Sequence, residues 1–391
     1  MSSTEKVLHG VNVAVAIVLA GGVGSRLYPL SKVTPKPLIP FAGAPLIEYL
    51  VDSLLKSGFF EVIITAKYLG DQIVKYFKGR PRVKPLLLNS RDTADAVRLV
   101  ADMIKGDFLV SMGDVATDIP FSVFFEFHLS KSPTASIVLK QVDNPLPYGL
   151  VYVDEGGYVY HFAEKPRSIE ACLLLLAHHK SRGAHLYSNL VNAGIYAFKE
   201  EVLSLLVEKP SLMDFGRHVF PYLLEQGHKV LGWIAPAGSY WNDIGVPSVY
   251  KEAVWDLLEG RISNWSPRGR LYSRGLYIAE GATVKGSVIP PVYIGKDVVI
   301  EEGAVVGPYA SLEEGTIVKK EARVSYTITW QSTTIAEGSQ VHDSIVMNNA
   351  TVGPQVKVVS SIVGTGCTIG RDLIREVIEP CSWVSPYEAI G

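Results

Sequence analysis

The sequence is poor in cysteine, in excess charge and in long apolar runs, and each shortage narrows what the chain can be. Its three cysteines in 391 residues, Cys172, Cys367 and Cys381, form no metal-ligand spacing. They read as reduced, apolar side chains, none a good catalytic candidate. The formal net charge is only −2, so no basic face for nucleic acid or an acidic membrane surface is implied. No apolar run reaches membrane-spanning length, and Met1 to Gly10 lacks the pattern of a signal peptide. The expectation is a soluble, cytoplasmic protein. Two familiar phosphate-binding patterns, G-x-G-x-x-G and G-x-x-x-x-G-K-[S/T], are missing from the glycine-rich stretch near the start.

What that stretch does contain is more specific. Val11 to Leu19 reads as a buried strand, and it ends in Gly21, Gly22 and Gly24. Glycines allow a tight turn and close backbone approach, and the N–H groups of such a loop can converge on one anion. Leu19, Ala20, Gly21, Gly22, Gly24 and Ser25 are therefore candidate nucleotide-binding residues. Arg26 adds a fork of donors suited to phosphate oxygens, and Lys36 adds a compact cation. Two cations beside a glycine-rich turn suggest a polyphosphate, and these two are the candidate catalytic residues.

Leu19-Ala20-Gly21-Gly22-Val23-Gly24-Ser25-Arg26-Leu27-Tyr28-Pro29-Leu30, followed by Pro35-Lys36-Pro37, resembles the signature of nucleoside-diphosphate-sugar pyrophosphorylases, the sugar-1-phosphate nucleotidyltransferases. Further stretches fit. Asp114 follows the apolar strand Asp107 to Met112 through Gly113, and Asp243 lies in Trp241-Asn242-Asp243-Ile244-Gly245, similar to the family's W-x-D-[I/V]-G. The resemblance implies that these two aspartates hold Mg2+, an ion that prefers carboxylates together with substrate phosphates. Glu164-Lys165-Pro166 resembles the sugar-phosphate motif E-K-P, while Gly149 and Asn192 match a glycine and an asparagine on the sugar side. Asp92-Thr93-Ala94 resembles a base-side G-T-A motif, with Asp92 in place of glycine. An acid there either caps the helix beginning at Thr93, the preferred reading, or accepts hydrogen bonds from a base such as guanine. The motifs disagree on the base.

The chain is long enough for two domains. Residues 11–260 alternate strand-like and helix-like segments, which argues for an α/β, Rossmann-like, mainly parallel sheet. Within them Pro45 to Lys56 and Gly70 to Phe77 read as helices, and Ala135 to Val142, Gly149 to Val153, Val159 to Phe162 and Val191 to Phe198 as strands. Segment 167–190, with His178-His179, looks like a helical insertion. A linker covers 261–275. Over 276–380 aliphatic residues recur every six positions, at Ile294, Ile300, Val306, Leu312, Val318 and Val324, then in shifted sets from Ile335 and Val346. That period indicates a parallel β-helix of hexapeptide repeats, and it resembles the left-handed β-helix attached to many sugar nucleotidyltransferases.

The resemblance implies transfer of a nucleotidyl group from a nucleoside triphosphate to a sugar 1-phosphate. GTP with mannose 1-phosphate is the first expectation, and glucose 1-phosphate adenylyl- or thymidylyltransfer the alternative. A non-catalytic regulatory subunit should lack a phosphate or metal residue, yet Arg26, Lys36, Asp114 and Asp243 are all present. An acetyltransferase activity in the repeats would need a histidine base, and His342 is the only histidine beyond Arg261. Exposed coil faces point instead to a homo-oligomer.

Overall fold

A computed structural model describes residues 14–145, 147–164 and 189–382. The strands of the first half are β1 (Val15–Ala20), β2 (Glu61–Ala66), β3 (Val83–Leu87), β4 (Phe108–Met112), β5 (Val115–Thr117), β6 (Ala135–Gln141), β7 (Gly149–Val153), β8 (Val159–Glu164), β9 (Leu190–Phe198), β10 (Val230–Ile234) and β11 (Trp241–Asp243). The main sheet runs β10-β6-β9-β4-β1-β2-β3, with β7 and β8 branching from β9. The β4-β1-β2-β3 pairs are all parallel, whereas β9 runs antiparallel to both β4 and β6. β1 is buried along its whole length, as its unbroken apolar run requires. Helices cover the sheet, among them Leu46–Lys56 and Gly70–Phe77. The strand order reverses beside β1, and ligands of such sheets bind at the carboxyl ends of the strands at that point.

The second half is three sheets of very short strands; apart from Arg270–Ser273, which leads in antiparallel to Leu276–Ile278, each strand pairs in parallel with the one a coil later, which makes a β-helix. The expected inward positions Ile294, Ile300, Val306, Leu312, Val318, Val324, Ile335, Val341, Val346, Val352 and Val358 are all buried. The shift in the repeat has a simple cause. Val292 lies opposite Ala310, eighteen residues on, but Leu312 lies opposite Thr329, seventeen on. One corner has lost a residue, so Thr329 takes an inward place, and its hydroxyl pairs with that of Thr316 at 3.0 Å.

The reduced state expected for the cysteines is corrected. Cys367 and Cys381 form a disulfide. The last coil is short, with Ile362 opposite Val377. A separation of 14 residues along the chain is therefore about one turn of the coil, and it stacks the two cysteines as neighbours. Cys172 and the helical reading of 167–190, His178-His179 included, lie outside the described residues.

One sheet of the β-helix is covered by the first half of the chain. Its outward positions Tyr293, Ser311, Ile328, Ile345 and Ile362 stack in register, apolar at every coil but that of Ser311. With Trp330 and Met347 the four apolar members, Tyr293, Ile328, Ile345 and Ile362, pack into the core cluster that holds Phe41, Tyr49, Tyr250 and Trp265. Buried aliphatic and aromatic side chains contribute about 1.5–3 kcal/mol each, whereas exposed ion pairs such as Lys32–Glu379 contribute about 0–1 kcal/mol. The apolar column therefore dominates the attachment.

Glu313 is a buried acid in this interface. Burial pushes the Glu313 carboxyl up to about 8, against hydrogen bonds from Gly43, Ser311 and Ala42 that lower it. An acid whose pKa is higher folded than unfolded contributes stability below its unfolded pKa, near 4.5. That contribution is lost as pH rises toward the folded value. Thermal melts between pH 5 and pH 8 should therefore show the wild-type protein losing stability relative to Glu313→Gln; parallel curves would refute the titration.

Candidate active site

Three devices bring the candidate residues together at the carboxyl ends of β1 and β4. The first is the loop after β1. Gly24 adopts φ +65, and a Cβ there would lie 3.2 Å from Lys36 Cβ, so the glycine lets the Lys36 turn lie against the loop. Leu27 N donates to the Gly24 carbonyl at 2.9 Å and Ser31 Oγ to the same oxygen at 2.7 Å, closing the loop into a short helical turn, Ser25–Leu27. The second is Gly113, whose N–H donates to the Leu19 carbonyl at 2.9 Å; a Cβ there would meet that same oxygen. β4 thus delivers Asp114 directly beside the loop. The third is the antiparallel ribbon of β5 and β11, in which Asp243 pairs with Val115 and Ile244 N donates to the Asp114 carbonyl at 3.1 Å. Two aspartates far apart in sequence become neighbours.

Lys36 lies between them. Its Nζ donates to Asp114 Oδ2 at 2.6 Å and to Asp243 Oδ1 at 3.0 Å, with the side chain almost wholly buried. Burial pulls its pKa down, but the facing Asp114 and Asp243 carboxylates offset that, and the ammonium is held above its ordinary value. Arg26 approaches Asp243 at 3.7 Å and stays 60% exposed, free to meet an incoming anion. Gly245 makes room for that guanidinium, since a Cβ there would lie 3.2 Å from it.

Three adjoining cavities share these walls. One of about 220 Å³ is lined by Leu19, Ala20, Gly22, Gly24, Ser25, Arg26, Lys36 and Asp114. A second, about 620 Å³, lies on the other side of the loop, between Gly21, Lys67, Ser90, Asp92 and Thr93. A third, about 380 Å³, runs from Arg26, Asp114 and Asp243 to Tyr148, Gly149, Asn192 and Trp241. Gly149 opens β7 opposite Glu164 at the end of β8, which brings the Glu164 backbone to this side. Lys165 lies outside the described residues. Asn192 Nδ2 donates to the Tyr196 hydroxyl at 2.8 Å and its Oδ1 accepts from Gly194 N at 2.9 Å, so the amide is held in place. Asp92 caps the helix Thr93–Arg98, accepting from Thr93 N at 2.9 Å, and also lines two of the cavities. Ala94 is buried, its N–H bound to the Met213 carbonyl at 2.8 Å, and it lines none of the three.

Several lining residues escape a sequence reading. Lys67 follows β2 at its carboxyl end, where the strand-end rule could have found it; its Nζ donates to the Ser90 carbonyl at 2.5 Å. Asp214 and Arg217 reach the third cavity from a π-helical turn, Phe215–Val219, which hydrophobic periodicity does not reveal.

Comparison with known proteins identifies the family. A sequence profile described as nucleotidyl transferase matches residues 15–260, and one described as GMPPB C-terminal domain matches 288–386. A "putative mannose-1-phosphate guanyltransferase" of Sulfolobus acidocaldarius is 30% identical over 299 residues, covering 74% of this chain and 74% of its own length. A "bifunctional protein GlmU" of Methanocaldococcus jannaschii is 29% identical over 357 residues, covering 84% of this chain and 76% of its own length. The "mannose-1-phosphate guanylyltransferase catalytic subunit beta" of Drosophila melanogaster is 30% identical over 290 residues, covering 72% and 71%. With a profile match across the whole loop-and-ribbon half of the chain, the protein belongs to the nucleotidyl transferase family and is an enzyme of that family.

Proposed function

We propose that this enzyme joins a nucleoside triphosphate to a sugar 1-phosphate, with GTP and mannose 1-phosphate as its pair, yielding GDP-mannose and pyrophosphate. The observation that carries the reaction class is the Lys36 ammonium held between Asp114 and Asp243 under a glycine-rich loop with Arg26 beside it. The choice of substrates rests on relatives named for mannose-1-phosphate guanylyl transfer. An oxygen of the sugar 1-phosphate attacks the α-phosphorus, a new P–O bond forms, and the bond to pyrophosphate breaks in line. The nucleophile is already an anion, so no covalent protein intermediate is required. Catalysis is then positioning and charge stabilisation.

In this reading the loop from Leu19 to Ser25 cradles the triphosphate with backbone N–H groups. Lys36 and Arg26 neutralise charge on the α-phosphate and the departing pyrophosphate. Gly149, Glu164, Lys165 and Asn192 hold the sugar phosphate, and Thr93 and Asp92 face the base. The two carboxylates that converge on one cation also suit a hard divalent ion, so Asp114 and Asp243 are the residues that would hold magnesium. Bound there, the ion would supply charge neutralisation on the phosphates. A second copy of the chain is the partner we infer for the β-helix, whose first coil leaves Val284 and Ile289 exposed at an open strand edge.

Arg26→Ala should lower turnover by about 100-fold while leaving the melting temperature nearly unchanged, because the side chain is largely exposed. A folded variant with near-normal turnover would remove Arg26 from the mechanism. Pyrophosphate release, assayed with five nucleoside triphosphates against mannose, glucose and N-acetylglucosamine 1-phosphates, should be fastest for GTP with mannose 1-phosphate and should stop with EDTA. A faster reaction with ATP or dTTP and glucose 1-phosphate would replace the substrate assignment and keep the reaction class.

A further inference from the structure

Glu313 is a buried acid with no part in the chemistry above. The register sets Leu312 opposite Thr329 and Thr329 opposite Val346, so Glu313, Trp330 and Met347 follow one another at the same place on successive coils. Trp330 and Met347 are apolar and buried against the first half of the chain. Glu313 is only 2% exposed at that same place, where a carboxyl is costly and an apolar side chain would not be. Among the described residues no cation pairs with it. Its Oε2 and Oε1 accept from Gly43 N at 3.0 and 3.3 Å, its Oε1 from Ser311 Oγ at 3.2 Å, and the Ala42 backbone donates as well. The titratable groups around it are Tyr49, Tyr250 and Tyr293, with Glu314 and Arg268 further out.

Gly43 is the tip of a tight loop closed by Phe41 N to the Ala44 carbonyl (2.8 Å) and Leu46 N to the Ile39 carbonyl (3.1 Å). The loop follows at once on the turn Lys36–Leu38. Other groups hold it from the same side. The Ala42 carbonyl accepts from Arg268 N at 3.0 Å and Tyr49 Oη at 2.9 Å, and the Pro40 carbonyl accepts from Tyr250 Oη. Gly43 has φ +95, and a Cβ there would lie 2.2 Å from the Tyr293 hydroxyl, so the β-helix approaches the loop as closely as a chain can.

We propose that Glu313 is a positioning residue for nucleotidyl transfer: by accepting from the Ala42 and Gly43 N–H groups it fixes the 39–45 loop, and through the Lys36–Leu38 turn it fixes the backbone that carries Lys36, so that the ammonium stays beside Asp114 and Asp243 within reach of a bound phosphate. The proposal rests on the reading of Lys36 as catalytic. It makes the β-helix part of the active-site scaffold, acting on the chemistry without touching substrate.

The test is Glu313→Gln in the full-length enzyme assayed above pH 8, where the wild-type carboxyl is ionised and both oxygens only accept, whereas the amide keeps the size but can turn a donor toward the Gly43 N–H. Turnover should fall about tenfold or more, with KM for both substrates within about twofold of wild type, as expected when a catalytic group is displaced and binding is not. Amide hydrogen exchange should quicken at Leu38, Ile39, Ala42 and Gly43. Should that variant fail to fold, Ser311→Ala removes a single donor to the same carboxyl and should shift turnover and exchange in the same direction by a smaller factor. A folded Glu313→Gln with wild-type turnover, or with reduced turnover but unchanged exchange over residues 36–45, would overturn the proposal. Lys36→Ala separates the two readings. If it retains turnover, the catalytic reading of Lys36 fails, while the exchange comparison still decides whether Glu313 holds the loop.

Discussion

The arrangement depends on one ammonium placed between two carboxylates. A lysine as buried as Lys36 must be paired, and losing a partner from a buried ion pair costs about 3–5 kcal/mol. The Asp114 and Asp243 contacts therefore tie three separate parts of the chain to one point: the Pro35-Lys36-Pro37 turn, the end of β4 and the β5–β11 ribbon. Gly24 and Gly113 serve the same convergence by letting backbone pass where a Cβ would collide. The result is a phosphate-sized space with cations on its walls and two hard oxygen donors beneath.

The β-helix bears on this centre from behind. Its outward column of Tyr293, Ile328, Ile345 and Ile362 is used inside the chain, so that face is not available for self-association. It meets the catalytic half near both ends of the segment that contains Lys36. Glu379 pairs with Lys32 at 2.7 Å on one side, and Glu313 takes the Gly43 N–H on the other. The disulfide between Cys367 and Cys381 holds the chain on either side of Glu379 to the last coil.

How much of this the sequence discloses follows from which features are periodic. The strand Gly149–Val153 and the helix Gly70–Phe77 have the bounds that their residue pattern suggests, since each is set by an apolar period closed by turn residues. The inward aliphatics of the β-helix are equally plain. Its outward apolar column is hidden because it recurs at most once per coil of seventeen or eighteen residues, is interrupted by Ser311, and lies among positions that usually face water. The same coil explains the cysteines, which look distant until the repeat length is used to stack them. Glu313 resembles any of the acids that follow repeat aliphatics, as Glu301 does, and only its burial marks it out. At the site, Arg26, Lys36, Asp114 and Asp243 are legible from motif and strand-end logic. Asp214 and Arg217 are not, because a π-turn has no signature in hydrophobic spacing.

The most direct test of the central arrangement is a crystal structure with a non-hydrolysable nucleoside triphosphate and Mn2+ in place of magnesium. Anomalous scattering should place the ion on the carboxylates of Asp114 and Asp243, with Lys36 turned to the α-phosphate and the triphosphate along the loop from Gly21 to Arg26. An ion bound elsewhere, or a triphosphate that leaves Lys36 still locked between the two aspartates, would contradict the account.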